Sequence, residues 1–130
     1  MKPQLCVCAS GKGFNRCCQP YLSGSTRPKT PVQLMRSRFS AFALGGYGAY
    51  LLETWLPSSS NGLSEFELSQ LSVDWQHLEI IDKSQQGDRG MVEFKATFLD
   101  HYGEKQRHHE ISQFHRISGH WYYAAGRVLT

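Results

Sequence analysis

Four cysteines lie within thirteen residues near the start of this 130-residue chain, and no other cysteine follows them. They form two pairs, Cys6 with Cys8 and Cys17 with Cys18. Residues 9–16, which join the pairs, include Gly11 and Gly13, and glycine permits the backbone conformations of a loop that turns back on itself. Thiols this close together indicate a metal-binding knuckle, a disulfide-linked loop or a redox site.

A structural zinc ion is the favoured interpretation of this cluster. Thiolates are among the preferred ligands of zinc, and four of them complete a closed tetrahedral site with no open position. The C-x-x-C motif of redox proteins is absent, although a redox or copper role stays open. Disulfide bonds between the two cysteine pairs, across the loop, are also geometrically possible. We therefore predict one structural zinc per chain, held by Cys6, Cys8, Cys17 and Cys18.

The N-terminal residues predict a cytoplasmic protein. They lack the apolar stretch of a signal peptide, and no apolar run in the chain approaches the ~20 residues of a membrane-spanning helix. We therefore expect no membrane partner. The cytoplasm is reducing, so disulfides are rare there, which weighs against the disulfide alternative.

Positive charge is concentrated in the first third of the chain. Seven lysines and arginines precede Glu53, the first acidic residue. A basic surface can bind an acidic protein or phosphate, and the candidate partner-binding residues are Lys12, Arg16, Arg36 and Arg38. The alternatives are that local cations offset the thiolates, and that the two helical arginines make ion pairs or bonds to loop carbonyls. Nucleic acid is a weaker candidate, because only Phe14 and Tyr21 could stack on bases before the first helix.

Hydrophobic periodicity predicts helices followed by strands. Thr30 and Pro31 mark a helix start, Gly45 and Gly46 mark its end, and a short second helix is expected over 47–55. Ser64 and Glu67 form a capping box that starts a third helix. The period then changes to two over 73–81, 91–99, 105–117 and 120–125. This order predicts an α+β fold with helices on one face of an antiparallel sheet.

Several aromatic residues are candidates for either the core or a cavity. They are Trp55, Trp75, Phe114, Trp121 and Tyr123. Apolar pockets with a few polar groups bind small molecules, so a cavity would indicate a binder or an enzyme. His108 and Glu110 share one face of the third strand. They could bind metal or act as a base, but a solvated strand face is the favoured interpretation.

The cysteine segment resembles a known zinc motif. Cys6-Val7-Cys8-Ala9-Ser10-Gly11-Lys12, followed by Phe14 and by Cys17-Cys18, is similar to the SEC-C motif of the SecA translocation ATPase tail. The resemblance implies that the four cysteines are the zinc ligands. By analogy with that tail, it also implies a chaperone or ribosomal surface as partner. Glycine is common in the motif at the position of Ala9.

The resemblance extends over essentially the whole chain. The segments 18–24, 34–42, 54–55 and 119–123 resemble the YchJ-like family of uncharacterised bacterial proteins. That family implies a SEC-C zinc knuckle and a linker over residues 1–29 and a nuclear transport factor 2-like domain over 30–130. The implied domain is a cone of helices that caps a curved, four-stranded antiparallel sheet.

Two positions depart from the family pattern. Leu56-Pro57 stands where the family usually has His-Pro, and Ala124-Ala125-Gly126 stands where it has x-Asp-Gly. We interpret these positions as structural or peripheral. The sequence thus favours a zinc-binding interaction module, with a small-molecule binder or an enzyme that uses the cone as the alternative. Whether the chain catalyses a reaction is left open.

Overall fold

The computed structural model describes residues 4–56, 62–70 and 73–129. A 3₁₀ turn over Phe14–Arg16 lies within the cysteine segment. The helices and strands are α1 Gln19–Leu22, α2 Pro31–Leu44, α3 Gly48–Glu53, α4 Glu65–Ser69, β1 Asp74–Gln86, β2 Arg89–Leu99, β3 Lys105–Ile117 and β4 His120–Leu129. The four-residue helix α1 was not predicted, and the elements from α2 onwards follow the predicted order. The predicted α+β class is therefore confirmed.

The helix ends follow the local signals in the sequence. The Thr30 hydroxyl accepts a hydrogen bond from the Gln33 amide at 3.1 Å and caps α2. Gly45 ends this helix with φ 73°, a left-handed conformation that favours glycine. Ser64 and Glu67 form the predicted capping box of α4. The predicted helix break at Pro57 and over most of the following polar run lies outside the described residues.

The sheet is a meander in which each strand pairs with the next, β1-β2-β3-β4, always antiparallel. Two irregularities in β1, and one where β3 meets β4, interrupt the register. The predicted end of the first strand at Ile81 was wrong. The strand continues to Gln86, which pairs with Arg89 across a tight turn at Gly87 and Asp88. The period-two pattern missed this extension because residues 82–86 are all exposed.

The core lies between α2 and one face of the sheet. Helix α2 packs against β1, β2 and β4, and its side chains meet the buried Phe114, Leu78 and Val92. The chain after α3 is fastened to the last strand, where Trp55 and Tyr123 form an isolated parallel bridge. In the part of the chain that the structure describes, no helix is long and apolar enough to cross a membrane.

Candidate metal centre and concave pocket

The cysteine segment folds into a compact loop over residues 5–18, which we call the knuckle. The Cys6 amide donates to the Lys12 carbonyl at 2.9 Å, and Leu5 and Gly13 form an antiparallel bridge. Ala9 has φ 64°, in the left-handed region that glycine adopts with least strain. This explains why a glycine suits that position of the motif. The turn brings the second cysteine pair back onto the first, as the spacing predicts.

The four sulfur atoms converge on one point. All four Sγ atoms lie within 4.8 Å of one another. Cys17 Sγ is 3.5 Å from Cys8 Sγ and 3.9 Å from Cys18 Sγ, and the four thiols are free of disulfides. A tetrahedral ion with metal–sulfur bonds of the zinc length places its ligands about 3.8 Å apart. The four cysteines therefore fit a closed, four-coordinate metal site.

The knuckle packs directly on α2. Cys6 Sγ lies 3.6 Å from the buried Ser40 hydroxyl, and Cys8 is completely buried. Arg36 of α2 donates from one terminal nitrogen to the Cys8 carbonyl at 2.8 Å. This contact is the bond to a loop carbonyl that the sequence offered as one interpretation of the arginine. The metal site is thus part of the protein core rather than an appendage.

Three of the four thiols have shifted pKa values that a bound cation would change. Burial raises the pKa of the Cys17 thiol to about 11. A hydrogen bond with Cys18 lowers the pKa of Cys6, and the same bond raises the pKa of Cys18. Four thiolates this close would repel one another without a cation. A metal ion bound by these four residues would replace the protons and hold all four as thiolates.

A basic cleft of about 300 Å³ opens beside the cluster. Lys12, Arg16 and Arg36 line it, next to Cys17 and Cys18, and none of the described residues that line it is acidic. Three of the four predicted partner-binding cations therefore share one surface feature. Arg38 does not belong to it. Its side chain is only 4% exposed and lies on the other side of α2.

A second depression of about 420 Å³, the concave pocket, lies between α2 and the inner face of the sheet. Trp55, Trp75 and Tyr123 line it, as predicted for a cavity. The other two predicted cavity residues lie elsewhere. Phe114 is fully buried in the core, and Trp121 donates from its indole nitrogen to the Lys29 carbonyl at 3.2 Å.

Arg38 is buried in the wall of the concave pocket. Its guanidinium carbon lies 4.9 Å from the ring centroids of both Trp55 and Tyr123. One terminal nitrogen donates to the Leu51 carbonyl at 2.8 Å and to the Thr54 hydroxyl at 2.7 Å. Burial lowers the pKa of this guanidinium to about 10, so it remains protonated at neutral pH. The pocket therefore contains a positive charge.

Glu110 supplies a negative charge on the sheet side of the pocket. Its carboxylate accepts hydrogen bonds from the Tyr123 hydroxyl at 2.9 Å, from His108 at 2.9 Å and from the Ser112 hydroxyl. Burial opposes ionisation, but these bonds outweigh it and lower the pKa of the carboxyl. Burial and the adjacent Glu110 charge raise the pKa of Tyr123. Glu110 is thus ionised and held by three protein groups.

The interpretation of His108 and Glu110 as a solvated strand face was wrong. Both line the concave pocket, opposite side chains of α2, and the Glu110 side chain is only 12% exposed. Glu110, Ser112 and Phe114 alternate along β3 on this face. The buried Phe114 was the signal that could have placed Glu110 there. Ala125, which stands where the family pattern has aspartate, is in contrast exposed on β4. This exposure agrees with a peripheral role.

The chain is similar to known proteins over most of its length. The family model described as "YchJ, middle NTF2-like domain" matches residues 30–126. A UPF0225 protein from Serratia proteamaculans is 39% identical over 129 residues, which cover 95% of this chain and 83% of that protein. A UPF0225 protein from Geobacter sulfurreducens is 33% identical and covers 94% of this chain and 78% of its own length.

One solved structure resembles nearly all of the chain. It is the solution structure of RPA3114, a SEC-C motif containing protein from Rhodopseudomonas palustris. The TM-score is 0.86 at 36% identity, and the match covers 96% of this chain and 98% of that one. The likeness therefore includes the cysteine segment as well as the sheet and helices.

Proposed function

The chain belongs to the YchJ family, and on this premise we propose that it is a zinc-dependent interaction module whose knuckle presents the basic cleft to an acidic segment of a partner protein. The observation that carries the proposal is the position of Lys12, Arg16 and Arg36 around one cleft beside the four cysteines. The likeness to a protein with a SEC-C motif supports zinc as the metal. A reducing cytoplasm, the location we propose, keeps the thiols available for it.

Zinc has a structural role in this proposal. Four cysteine ligands leave no coordination position for water or substrate, so the ion orders the backbone instead of activating a reactant. Two hydrogen bonds connect the backbone of the knuckle to the cleft. Arg36 donates one to the Cys8 carbonyl, and the Lys12 carbonyl accepts the other from the Cys6 amide. Loss of the metal would therefore disperse the cations that form the binding surface.

The charge of the cleft indicates an acidic partner. Its cations have no carboxylate among the lining residues, and fixed positive charges attract acidic segments and speed their association. A chaperone or a ribosomal protein surface, the partners that the SEC-C analogy implies, could supply such a segment. Nucleic acid fits less well, because Tyr21 is the only aromatic side chain among the described residues that line the cleft, and stacking on bases needs several.

The test is binding of a fluorescently labelled peptide rich in aspartate and glutamate, measured by anisotropy. We expect the zinc-loaded protein to bind it in a salt-dependent manner. The double variant Lys12→Glu, Arg16→Glu should bind at least about tenfold more weakly, and chelation of zinc should have a similar effect. The matched control, Lys105→Glu with Arg107→Glu, reverses two exposed cations of β3 and should bind normally.

Three results would contradict the proposal. The first is equal binding with and without zinc, and the second is equal binding by the cleft variant and its control. The third is preference for a single-stranded oligonucleotide over the acidic peptide, which would assign the basic cleft to nucleic acid instead.

A further inference from the structure

We infer that the concave pocket is a binding site for a small, largely apolar molecule that carries a carboxylate, separate from the metal centre and from the basic cleft. The pocket volume of about 420 Å³ falls in the range of small-molecule sites. Its walls are mainly aromatic and aliphatic, with Trp75, Phe94 and Phe98 from the sheet and Phe39 and Phe42 from α2. Such walls suit an apolar ring or chain.

One buried hydrogen-bond donor in the pocket wall has no partner. Among the described residues, the Trp55 indole nitrogen is the buried side-chain nitrogen or oxygen atom that lacks one. Trp55 lines the pocket. Buried polar atoms in folded proteins are nearly always hydrogen-bonded, so an exception calls for a specific explanation. An acceptor on a bound molecule would satisfy this donor.

Arg38 places a cation with unused donors next to this indole. Both of its hydrogen bonds to described residues come from the same terminal nitrogen, and the guanidinium carbon is 4.9 Å from the Trp55 ring centroid. No carboxylate of the described chain makes a salt bridge with it. A carboxylate is the group that best matches the planar array of donors in a guanidinium.

Glu110 does not occupy that position because its oxygens are already engaged. One accepts from His108, and the other accepts from Ser112 and Tyr123. The Tyr123 ring lies against Arg38 while its hydroxyl donates to Glu110, so the tyrosine separates the two charges. The pocket is therefore positive near Trp55 and negative on β3. A bound carboxylate is directed towards Trp55 and Arg38, and its apolar body towards Trp75.

The test uses the full zinc-loaded chain labelled with ¹⁵N, and follows its three tryptophan indole N–H signals by NMR. The probes are benzoate, phenylacetate and 1-naphthylacetate, each compared with its primary amide. We expect at least one carboxylate to move the Trp55 signal in a saturable manner. The Trp121 signal, whose N–H donates to Lys29, should stay in place. The matching amide should bind about tenfold more weakly, because hydrogen bonds to a charged group are the stronger ones.

Two variants separate recognition from folding. Trp55→Phe keeps the aromatic ring and removes the unpartnered N–H, so we expect a folded protein with an affinity for the carboxylate about tenfold lower by calorimetry. Lys12→Glu with Arg16→Glu removes charge from the basic cleft and should leave this affinity unchanged. That second variant also distinguishes failure of this inference from failure of the proposed function.

Any of four results would overturn the inference. They are the absence of a Trp55 shift with all three carboxylates at millimolar concentration, equal affinity for carboxylates and amides, unchanged affinity in Trp55→Phe, and loss of binding in the basic-cleft variant. The last result would place the carboxylate on the knuckle.

Discussion

The knuckle and the concave pocket both bury ionisable groups, but they balance charge in opposite ways. In the knuckle four acidic groups of one kind meet at one point, with sulfur separations as short as 3.5 Å. In the pocket, opposite charges are kept apart by Tyr123, and protein groups hold each of them. The knuckle therefore needs a cation to take its form, whereas the pocket keeps its form from the packing around it.

Removal of the metal should have the largest effect, and that effect should be confined to the knuckle. Structural zinc sites supply on the order of 10 kcal/mol, so chelation or Cys8→Ser should abolish the amide protection of residues 5–18 in hydrogen exchange. The amides of β2 and β3 should stay protected. Ser23→Ala, an exposed change just after α1, is the control and should retain one zinc per chain by mass spectrometry. Protection of the knuckle in metal-free protein would show that it folds without a cation.

Substitution of Glu110 tests the buried negative charge of the pocket. Its effect on the free energy of unfolding should be intermediate. Glu110→Gln removes a buried charged acceptor and should cost about 2 kcal/mol at pH 7 in urea unfolding. Because the pKa of Glu110 is lowered in the folded state from 4.5, its stabilisation is present above that value. It is lost as the pH falls through the folded pKa. The difference between wild type and variant should therefore shrink in acid.

The control for this experiment is Glu79→Gln, an exposed carboxyl on β1. It should change the free energy of unfolding by less than about 0.5 kcal/mol. A Glu110 variant whose deficit stays constant from pH 7 to pH 3 would mean that the effect comes from packing and not from the charge.

The smallest predicted effect concerns the backbone conformation of Ala9 in the knuckle. Ala9→Gly should stabilise the zinc-loaded protein by about 1 kcal/mol, because φ 64° strains a residue with a Cβ atom. Ala43→Gly in α2 is the matched control, and the same exchange within a helix should destabilise by about 1 kcal/mol. Thermal unfolding of both variants measures the difference. Destabilisation by both would show that the left-handed conformation of Ala9 is not strained.

The two regions also differ in how well the sequence predicts them. The ligand set of the knuckle is contained in one short segment, so spacing and motif are sufficient to propose it. The caps of α2 and α4 are equally local and were confirmed. The pocket, in contrast, combines Arg38 of α2, Trp55 after α3 and Glu110 of β3, which come together only through tertiary packing.

Arg38 illustrates why the rest could not be predicted. Its charge is visible in the sequence and made it a candidate partner-binding cation together with Arg36. The helix α2, however, is covered by the sheet on one side and by the knuckle on another, so that Ser37, Arg38, Phe39 and Ser40 are all buried. Because α2 is buried on more than one side, an arginine on this helix need not lie at the surface.

The bridge between Trp55 and Tyr123 has a consequence for self-association. Strand β4 is the last strand of the sheet, and the unpaired backbone of an outermost strand is a template for adding a strand from another molecule. Here Tyr123 already donates to the Thr54 carbonyl at 2.7 Å and accepts from the Leu56 amide at 2.9 Å. The segment after α3 thus pairs with the edge of β4 at that point. It blocks the addition of a strand from another molecule there.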